Sequence, residues 1–301
     1  MTTATKTPRP ENFDAYWDAI DAELAALPAA PALEASPLRS TPFSTTYELR
    51  LTSIGPYRIF GWYSVPTGAG PFPGMFNAPG YGSVVTPAPY DDRERFAVLT
   101  LAHRGQRLAD KPFAASYPGL LTHGIDDPAT YIYRGIAADI IRAVEFLQSR
   151  PEIDQERVGI AGNDLAIIAA CRRPGFAALH VTDLLFHRVM EVRRRTEAYP
   201  IEEINDHLRQ FPESETAVGA TLSYFDPIHH APRFQGRVIF KHGDSGSTNG
   251  ADWLEPLARA LGGTVEPYAM TFEGGTDRDA LDARMADYLD VEAKPRVWEI
   301  V

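Results

Sequence analysis

Hydrophobic residues recur along this chain at two spacings, one helical and one typical of strands. Residues 10–28 place four apolar side chains on one face of a predicted helix: Phe13, Trp17, Ile20 and Leu24. Short apolar runs predict strands at residues 46–51, 57–65, 74–78, 96–102, 157–162, 176–186, 238–241 and 265–272. Helical spacing predicts helices between the later runs, at residues 131–150, 164–171, 251–261 and 278–289. Alternating strands and helices form a mostly parallel sheet with helices on both faces, so we predict an α/β fold.

The same pattern predicts one large domain with additions at both ends. The main domain spans residues 43–292, and an N-terminal helical arm, residues 1–42, is expected to pack on it. Within the main domain, charged residues at helical spacing over about 187–223 predict a small helical cap insertion. The last residues, 293–301, are expected to form a C-terminal tail.

Charge and composition exclude several classes of function. The 301 residues include 40 acidic and 29 basic side chains, for a net charge of -11. Nucleic acids and anionic membranes are bound by basic surfaces, so neither is an expected partner. The N-terminus lacks the apolar core of a signal peptide, and no apolar run approaches the roughly 20 residues of a membrane helix. We therefore expect a soluble, cytoplasmic protein.

A single cysteine limits the chemistry further. Cys171 has no second cysteine with which to form an intrachain disulfide or a cysteine zinc site. It falls at the end of the predicted helix 164–171, where a small core residue is expected. We predict no metal and no cofactor.

One stretch has the form of a catalytic turn. Residues 157–162 predict a buried strand, a tight turn follows, and a helix begins near Asp164. In a nucleophile elbow, written Gly-x-Ser-x-Gly, strand and helix pass so closely that small residues must stand two positions before and after the apex. Gly162 and Ala166 meet this requirement, but the apex is Asp164 and not serine.

Polar residues also follow several other predicted strands. They lie at residues 77–81, 103–106 and 242–244, and a further group lies in the turn 273–277. Functional groups gather at the carboxyl ends of the strands in sheets of this kind. We therefore expect these segments and Asp164 to surround one pocket, which takes a small-molecule substrate or ligand.

Further motifs occur in a fixed order along the chain. They are Pro-Glu-Asn-Phe-Asp-Ala-Tyr-Trp at residues 10–17, Arg-Gly-Gln at 104–106, Gly-Ile at 124–125, Tyr-Ile-Tyr-Arg-Gly at 131–135, Leu-Ser-Tyr-Phe-Asp at 222–226 and Ala-Pro-Arg at 231–233. By these motifs the chain resembles the acetyl xylan esterase and cephalosporin C deacetylase family of α/β-hydrolases, from about residue 8 to about residue 290. The resemblance implies an α/β-hydrolase fold with a mostly parallel, doubly wound sheet. Because members of that family commonly form hexamers, it also implies a homo-oligomer.

The resemblance also assigns site residues, and the match fails at two of them. Asp164 stands where the family has its nucleophilic serine, and Thr276 stands where it has its catalytic histidine. The family's acid falls on Asp244, and the two N–H groups of its oxyanion hole fall on Tyr81 and Leu165. Three further residues are expected in the pocket: Arg104, Gln106 and Asn163. The serine-esterase triad is therefore degenerate.

Three hypotheses follow for the chemistry. Asp164 could be a nucleophile, as in hydrolases with aspartate at the elbow, if a histidine such as His242 replaces the missing base. Other histidines that could do so are His103, His180 and His187. Asp164 could instead be a general acid or base beside Asp244, since repulsion between two carboxylates raises the pKa of one. In the third hypothesis catalysis is lost, and the pocket binds a ligand or the chain binds a partner. Residual hydrolysis of acetyl esters is a remaining alternative.

Overall fold

A single large sheet forms the centre of the protein. The computed structural model describes residues 7–244 and 248–294. Its strands are β1 (Ala32–Ala35), β2 (Ser44–Ser53), β3 (Tyr57–Pro66), β4 (Phe72–Asn77), β5 (Ala97–Ala102), β6 (Ile153–Gly162), β7 (Ala178–Val181), β8 (Arg237–His242) and β9 (Thr264–Ala269). They lie side by side in the order β1-β2-β3-β5-β4-β6-β7-β8-β9.

The helices of the described residues lie between and around these strands. They are α1 (Phe13–Ala26), α2 (Tyr90–Arg95), α3 (Ile132–Gln148), α4 (Asp164–Arg172), α5 (Val189–Val192), α6 (Glu202–Gln210), α7 (Glu215–Ser223), α8 (Ala251–Ala260) and α9 (Gly274–Tyr288). Short 3-10 helices occur at Pro212–Ser214, Pro227–His229 and Ala231–Arg233. None of these helices combines the length and hydropathy needed to cross a membrane.

The sheet is antiparallel at one side and parallel over the rest. Strands β1, β2, β3 and β5 pair antiparallel in that order. From β5 onward every pairing is parallel, through β4, β6, β7, β8 and β9. Every residue of β5 is buried, as expected for a strand covered by helices on both faces. The predicted α/β fold with a mostly parallel sheet is confirmed.

The N-terminal helix is part of the main core. Its four apolar residues, which the spacing placed on one face, are fully buried in the same cluster as α3 and α4. The guanidinium of Arg142 in α3 donates to the carbonyls of Leu24, at 2.6 Å, and Leu27, at 2.8 Å. These bonds join the end of α1, where helical carbonyls lack i+4 partners, to α3; the Leu24 carbonyl also accepts the N–H of Leu27 at 3.1 Å. On the other face of the sheet, α9 covers a smaller apolar cluster that includes Leu281 and Met285.

Several details differ from the prediction; for example, α9 begins at Gly274, within the predicted turn 273–277. Residues 29–42 contain β1, which extends the sheet by pairing with β2. Helix α2 has six residues, too few to show a period in the sequence. The strand predicted over 176–186 ends at Val181, because the apolar residues that follow leave the sheet and form a loop against α4.

Candidate functional site

The elbow has the close packing that its small residues predicted. Gly162 has φ +155°, and a Cβ there would lie 2.6 Å from the Cβ of Ala78 and 3.0 Å from that of Ala166. Asn163 caps α4, and its Oδ1 accepts the N–H of Leu165 at 3.0 Å. A side-chain oxygen at this position satisfies an N–H that the first turn of a helix leaves free. The N–H of Leu165 is therefore already bonded, which does not fit its predicted role in an oxyanion hole.

Asp164 is fully buried and its carboxylate is bonded on both oxygens. Oδ2 accepts the backbone N–H of Leu185, and Oδ1 accepts those of Phe186 at 3.1 Å and His187 at 3.0 Å. Burial raises the pKa of Asp164 to about 6, and the bonds from the loop oppose that rise. The carboxylate thus joins the start of α4 to the loop that follows β7.

A second buried carboxylate extends this arrangement. Asp226 Oδ2 accepts the N–H of Arg188 at 3.0 Å, so residues 185–188 offer four consecutive N–H groups to two carboxylates. Arg188 has φ +52°, in the left-handed region that costs a non-glycine residue free energy. Bonds on both sides of Arg188 offset that cost. We call residues 185–188, held by Asp164 and Asp226, the clamped loop.

His187 in the clamped loop forms a pair with Asp226. Its Nδ1 lies 3.1 Å from Asp226 Oδ1, and both side chains are buried. Burial opposes ionisation of Asp226, but bonds from His187, from the N–H of Arg188 and from other donors lower its pKa below the usual value. An ionised carboxylate only accepts, so the His187 Nδ1 carries the proton. His187 Nε2 has no hydrogen-bond partner among the described residues.

Among the histidines proposed as substitute bases, His187 bonds to Asp164 through its backbone N–H, and, against the effect of burial, its electrostatic effect lowers the pKa of Asp164. In the part of the chain that the structure describes, no histidine ring forms a hydrogen bond or ion pair with its carboxylate. The ring of His242 contacts the carbonyl of Gly243 at 3.2 Å, and that of His103 contacts the carbonyl of Arg104 at 2.7 Å. His180 Nε2 is buried without a partner in the described residues. Burial lowers the pKa of both His103 and His180 to about 4.

The two other positions that the resemblance assigned to the triad are at the surface. Thr276 lies exposed in the first turn of α9, where its hydroxyl donates to Glu273 Oε2 at 3.3 Å. Asp244 is exposed after β8, next to residues 245–247, which lie outside the described residues. The structure thus places Asn163 and Asp164 at the buried elbow, whereas Thr276 and Asp244 are exposed.

The other predicted pocket residues form internal bonds. Arg104 binds both carboxylate oxygens of buried Asp139, at 2.9 Å and 2.7 Å, and Gln106 Nε2 donates to the carbonyl of Gly82 at 2.6 Å. The Tyr81 hydroxyl donates to Glu203 of α6, whose other oxygen accepts two further backbone N–H groups. Burial, and then Glu203, raise the pKa of Tyr81 well above its usual value. These residues support the backbone around the strand ends and the cap.

A cavity of about 470 Å³ lies at the carboxyl ends of β7 and β8. Four of its polar lining residues are Asp183, His187, Lys241 and His242, and its apolar lining includes Leu184 and Leu254. Lys241 Nζ forms an ion pair with Asp183 Oδ1 at 3.1 Å. The sequence analysis missed Lys241 and Asp226 as site residues. The signal for Lys241 was its position beside His242 at a strand end, whereas Asp226 stood unremarked within the 222–226 motif.

A cluster of carboxylates lies elsewhere, between α2 and α9. Asp91, Asp92 and Asp282 place oxygens close enough together to hold a cation. The guanidinium of Arg95 already pairs with all three, at 3.8, 3.2 and 3.3 Å. Burial raises the pKa of Asp92 to about 7. The cluster is therefore an ion-pair network within the chain.

Comparison with known proteins agrees with the fold. The acetyl xylan esterase (AXE1) family model matches residues 2–247. Acetyl esterase Axe7A of Xylanibacter ruminicola is 26% identical over 255 residues, which cover 79% of this chain but 57% of that protein, so the chain spans just over half of its length. The acetyl xylan esterase of Paenibacillus sp. R4 superposes with a TM-score of 0.82 at 24% identity, covering 95% of this chain and 96% of that one.

A second solved structure gives the same result. Acetyl Xylan Esterase 1 from Thermoanaerobacterium sp. JW/SL YS485 superposes with a TM-score of 0.81 at 22% identity, covering 95% of each chain. At these identities the structures show a shared α/β-hydrolase fold. The resemblance inferred from the motifs is thereby confirmed. Because the family model covers most of its length, the chain belongs to the acetyl xylan esterase family.

Proposed function

We propose that this chain is a member of its family that has lost the serine-esterase mechanism and binds a small organic molecule in the cavity at the ends of β7 and β8. One observation carries the proposal: the carboxylate at the elbow is fully buried and bonded to three backbone N–H groups. Asp164 then serves to hold the clamped loop in place, and the clamped loop forms part of the cavity wall through His187.

The nucleophile hypothesis has less support from this geometry. A nucleophilic carboxylate must leave one oxygen free to approach the substrate carbon, and a base must then activate water to release the intermediate. Both oxygens of Asp164 accept hydrogen bonds from backbone N–H groups, and no histidine ring of the described residues is bonded to them. The N–H of Leu165, which would stabilise a developing negative charge, is bonded to Asn163.

The acid–base hypothesis rests on one favourable observation, the pKa of about 6 for Asp164. A catalytic acid or base works best when its pKa lies near the working pH. Here burial is the main cause of the raised pKa, and the same burial separates the carboxylate from any substrate. Proton transfer through Asp164 is therefore the second candidate.

Esterase assays of designed variants test the proposal that the serine-esterase mechanism is lost. The named relatives are acetyl esterases, so acetyl esters are the substrates to use. Hydrolysis of 4-nitrophenyl acetate and acetylated xylo-oligosaccharides is measured for wild type, Asp164→Asn, and Asp164→Ser combined with Thr276→His. We expect no difference between wild type and Asp164→Asn, and little gain in the double variant because the Leu165 N–H is bonded to Asn163. Hydrolysis by wild type that Asp164→Asn abolishes would contradict the proposal.

A ligand screen tests the binding half of the proposal. The unfolding temperature of wild type is measured with each member of a panel of neutral and charged small molecules. The control is Leu254→Trp, in which the larger side chain fills the cavity. A ligand that binds the folded state raises the unfolding temperature. We expect at least one compound to stabilise wild type but not Leu254→Trp. A panel without any such compound would argue against a ligand site here.

A further inference from the structure

We infer that the cavity at the ends of β7 and β8 takes an aromatic carboxylic acid, with its ring against Phe272 and its carboxylate at Lys241. Both residues line this cavity. This assignment rests on the proposed function, since it names the chemical class of the ligand for the same site. Neither residue stands at a position that the resemblance assigned to the triad.

Phe272 is held in a strained backbone conformation. Its φ is +63°, in the left-handed region that a bulky residue rarely adopts. The carboxylate of Asp277 in α9 accepts the N–H of Phe272 at 2.9 Å, and it accepts both the N–H and the hydroxyl of Thr271 at 2.9 Å. Asp277 is 2% exposed, and the hydroxyl of Tyr268 also donates to it. Strain of this kind persists where the surrounding structure fixes it, and it is concentrated at ligand-binding sites.

The strained turn places an aromatic side chain where a ligand can reach it. Phe272 is 62% exposed and lines the cavity. Packing within the chain does not account for this position, because most of the residue remains in water and the backbone strain adds a further cost. An aromatic ring of a ligand that lies against Phe272 removes apolar area from water and adds the energy of an aromatic pair. Leu184, Leu254 and Met270 supply further apolar surface in the cavity.

Lys241 supplies the cation for the carboxylate. It lies near the end of β8, and its side chain is 18% exposed, so most of it is withdrawn from water. A charge in such a place requires a partner of opposite sign. The partner here is Asp183, at 3.1 Å, whose side chain is 82% exposed and can return to water at small cost. A ligand carboxylate can therefore replace Asp183 at Lys241, whereas a cationic ligand would be repelled.

The size and charge of the cavity narrow the class of acid. Its volume of about 470 Å³ falls in the lower half of the range of small-molecule sites, which favours one ring with a short side chain. The lining that the structure describes contains one lysine and no arginine, so it matches a single negative charge. An aromatic monocarboxylate such as phenylacetate meets both conditions.

Calorimetric titration with three matched probes tests the inference. The probes are phenylacetate, cyclohexylacetate, which has no aromatic ring, and phenylacetamide, which has no charge. We expect wild type to bind phenylacetate about fivefold more tightly than cyclohexylacetate, because only the aromatic ring forms a pair with Phe272. Phenylacetate should also bind about tenfold more tightly than phenylacetamide, because a hydrogen bond between charged groups is stronger than one to a neutral acceptor.

Three variants test the two contacts separately. Phe272→Leu keeps an apolar side chain but removes the ring, so phenylacetate should lose its advantage over cyclohexylacetate. Lys241→Met should bind both acids about tenfold more weakly and leave the binding of phenylacetamide unchanged. Asp183→Asn, which removes the competing carboxylate, should bind both acids several-fold more tightly. Thermal unfolding of each variant shows whether it is folded.

The outcomes separate this inference from the proposed function. Equal affinity of wild type for the two acids would overturn the contact with Phe272, and unchanged acid binding by folded Lys241→Met would overturn the contact with Lys241. A compound of another class that stabilises wild type but not Leu254→Trp, without any binding of phenylacetate, would overturn the inference and leave the proposed ligand site in place. No binding by any compound would overturn both.

Discussion

The elbow and the cavity lie at the same edge of the sheet, and they differ in how completely their polar groups are bonded. At the elbow, the oxygens of Asp164 and the N–H of Leu165 all have partners within the chain. At the cavity, Lys241 pairs with an aspartate that is itself exposed to water. The contrast supports the proposal that Asp164 has a structural role.

The clamped loop connects the two regions. Its N–H groups are bound by Asp164 and Asp226, and its His187 lines the cavity. The carboxylate of Asp164 at the elbow accepts bonds from the backbone after β7. The same contacts that close the elbow hold one wall of the cavity.

The largest effect is expected from removing the second carboxylate of the clamped loop. Asp226→Ala leaves the His187 Nδ1 and the N–H groups of Arg188 and Ile228 without their acceptor. We expect a loss of about 3–5 kcal/mol in the free energy of unfolding, measured by urea denaturation. Asp226→Asn, which keeps one acceptor oxygen, should lose less. A variant as stable as wild type would show that the loop is held by other contacts.

A smaller effect is expected where strand and helix approach each other at the elbow. Gly162→Ala places a Cβ 2.6 Å from that of Ala78, at a φ of +155° that side chains rarely adopt. Overpacking and backbone strain together should lower the free energy of unfolding by roughly 2–3 kcal/mol. The matched control is Gly82→Ala, since a Cβ at Gly82 meets no atom within 4 Å. Equal effects of both substitutions would contradict the packing argument.

A third effect is a dependence of stability on pH that arises from Asp164 alone. Its pKa rises from 3.8 to about 6 on folding, so the folded protein binds this proton more tightly than the unfolded chain. Its contribution to stability is thus fully present below pH 3.8 and lost as the pH rises through 6. We expect wild type to gain up to about 1.4 kcal/mol per pH unit over Asp164→Asn as the pH falls through this window.

Subtracting the free energy of unfolding of Asp164→Asn from that of wild type cancels the contributions of other titrating groups. Burial lowers the pKa of His103 to about 4, so its contribution is present above pH 6.5 and lost as the pH falls toward 4. This opposite trend is common to wild type and Asp164→Asn and cancels between them. A stability difference that stays constant from pH 7 to pH 4 would mean that Asp164 does not change its proton affinity on folding.

The sequence predicted secondary structure correctly where burial of one face makes hydrophobic residues recur at a regular spacing. Helix α1 was predicted from four residues, because a helix that packs on one side repeats its apolar positions. The predicted strand after α4 was too long, because the apolar residues after Val181 serve the clamped loop and not the sheet. Hydrophobicity alone does not distinguish a residue in a buried strand from one in the buried clamped loop.

The site was predictable only in part, for a physical reason. The small residues at Gly162 and Ala166 were identified because close packing excludes larger side chains. The hydrogen-bond partners of Asp164 could not be predicted from the sequence, because they are backbone N–H groups about twenty residues later. Every residue except proline has such a group, so the residue types give no signal. The pairing of His187 with Asp226 likewise depends on a contact between distant segments.

The free energy of unfolding of Asp164→Ala at pH 7 tests the central claim most directly. If Asp164 holds the clamped loop, its removal leaves the N–H groups of Leu185, Phe186 and His187 buried without an acceptor. The expected loss is about 3–5 kcal/mol, with Asp164→Asn between the variant and wild type. Residues retained for reactivity commonly lower stability, so their replacement leaves a protein as stable or more stable. An Asp164→Ala protein at least as stable as wild type would contradict the account.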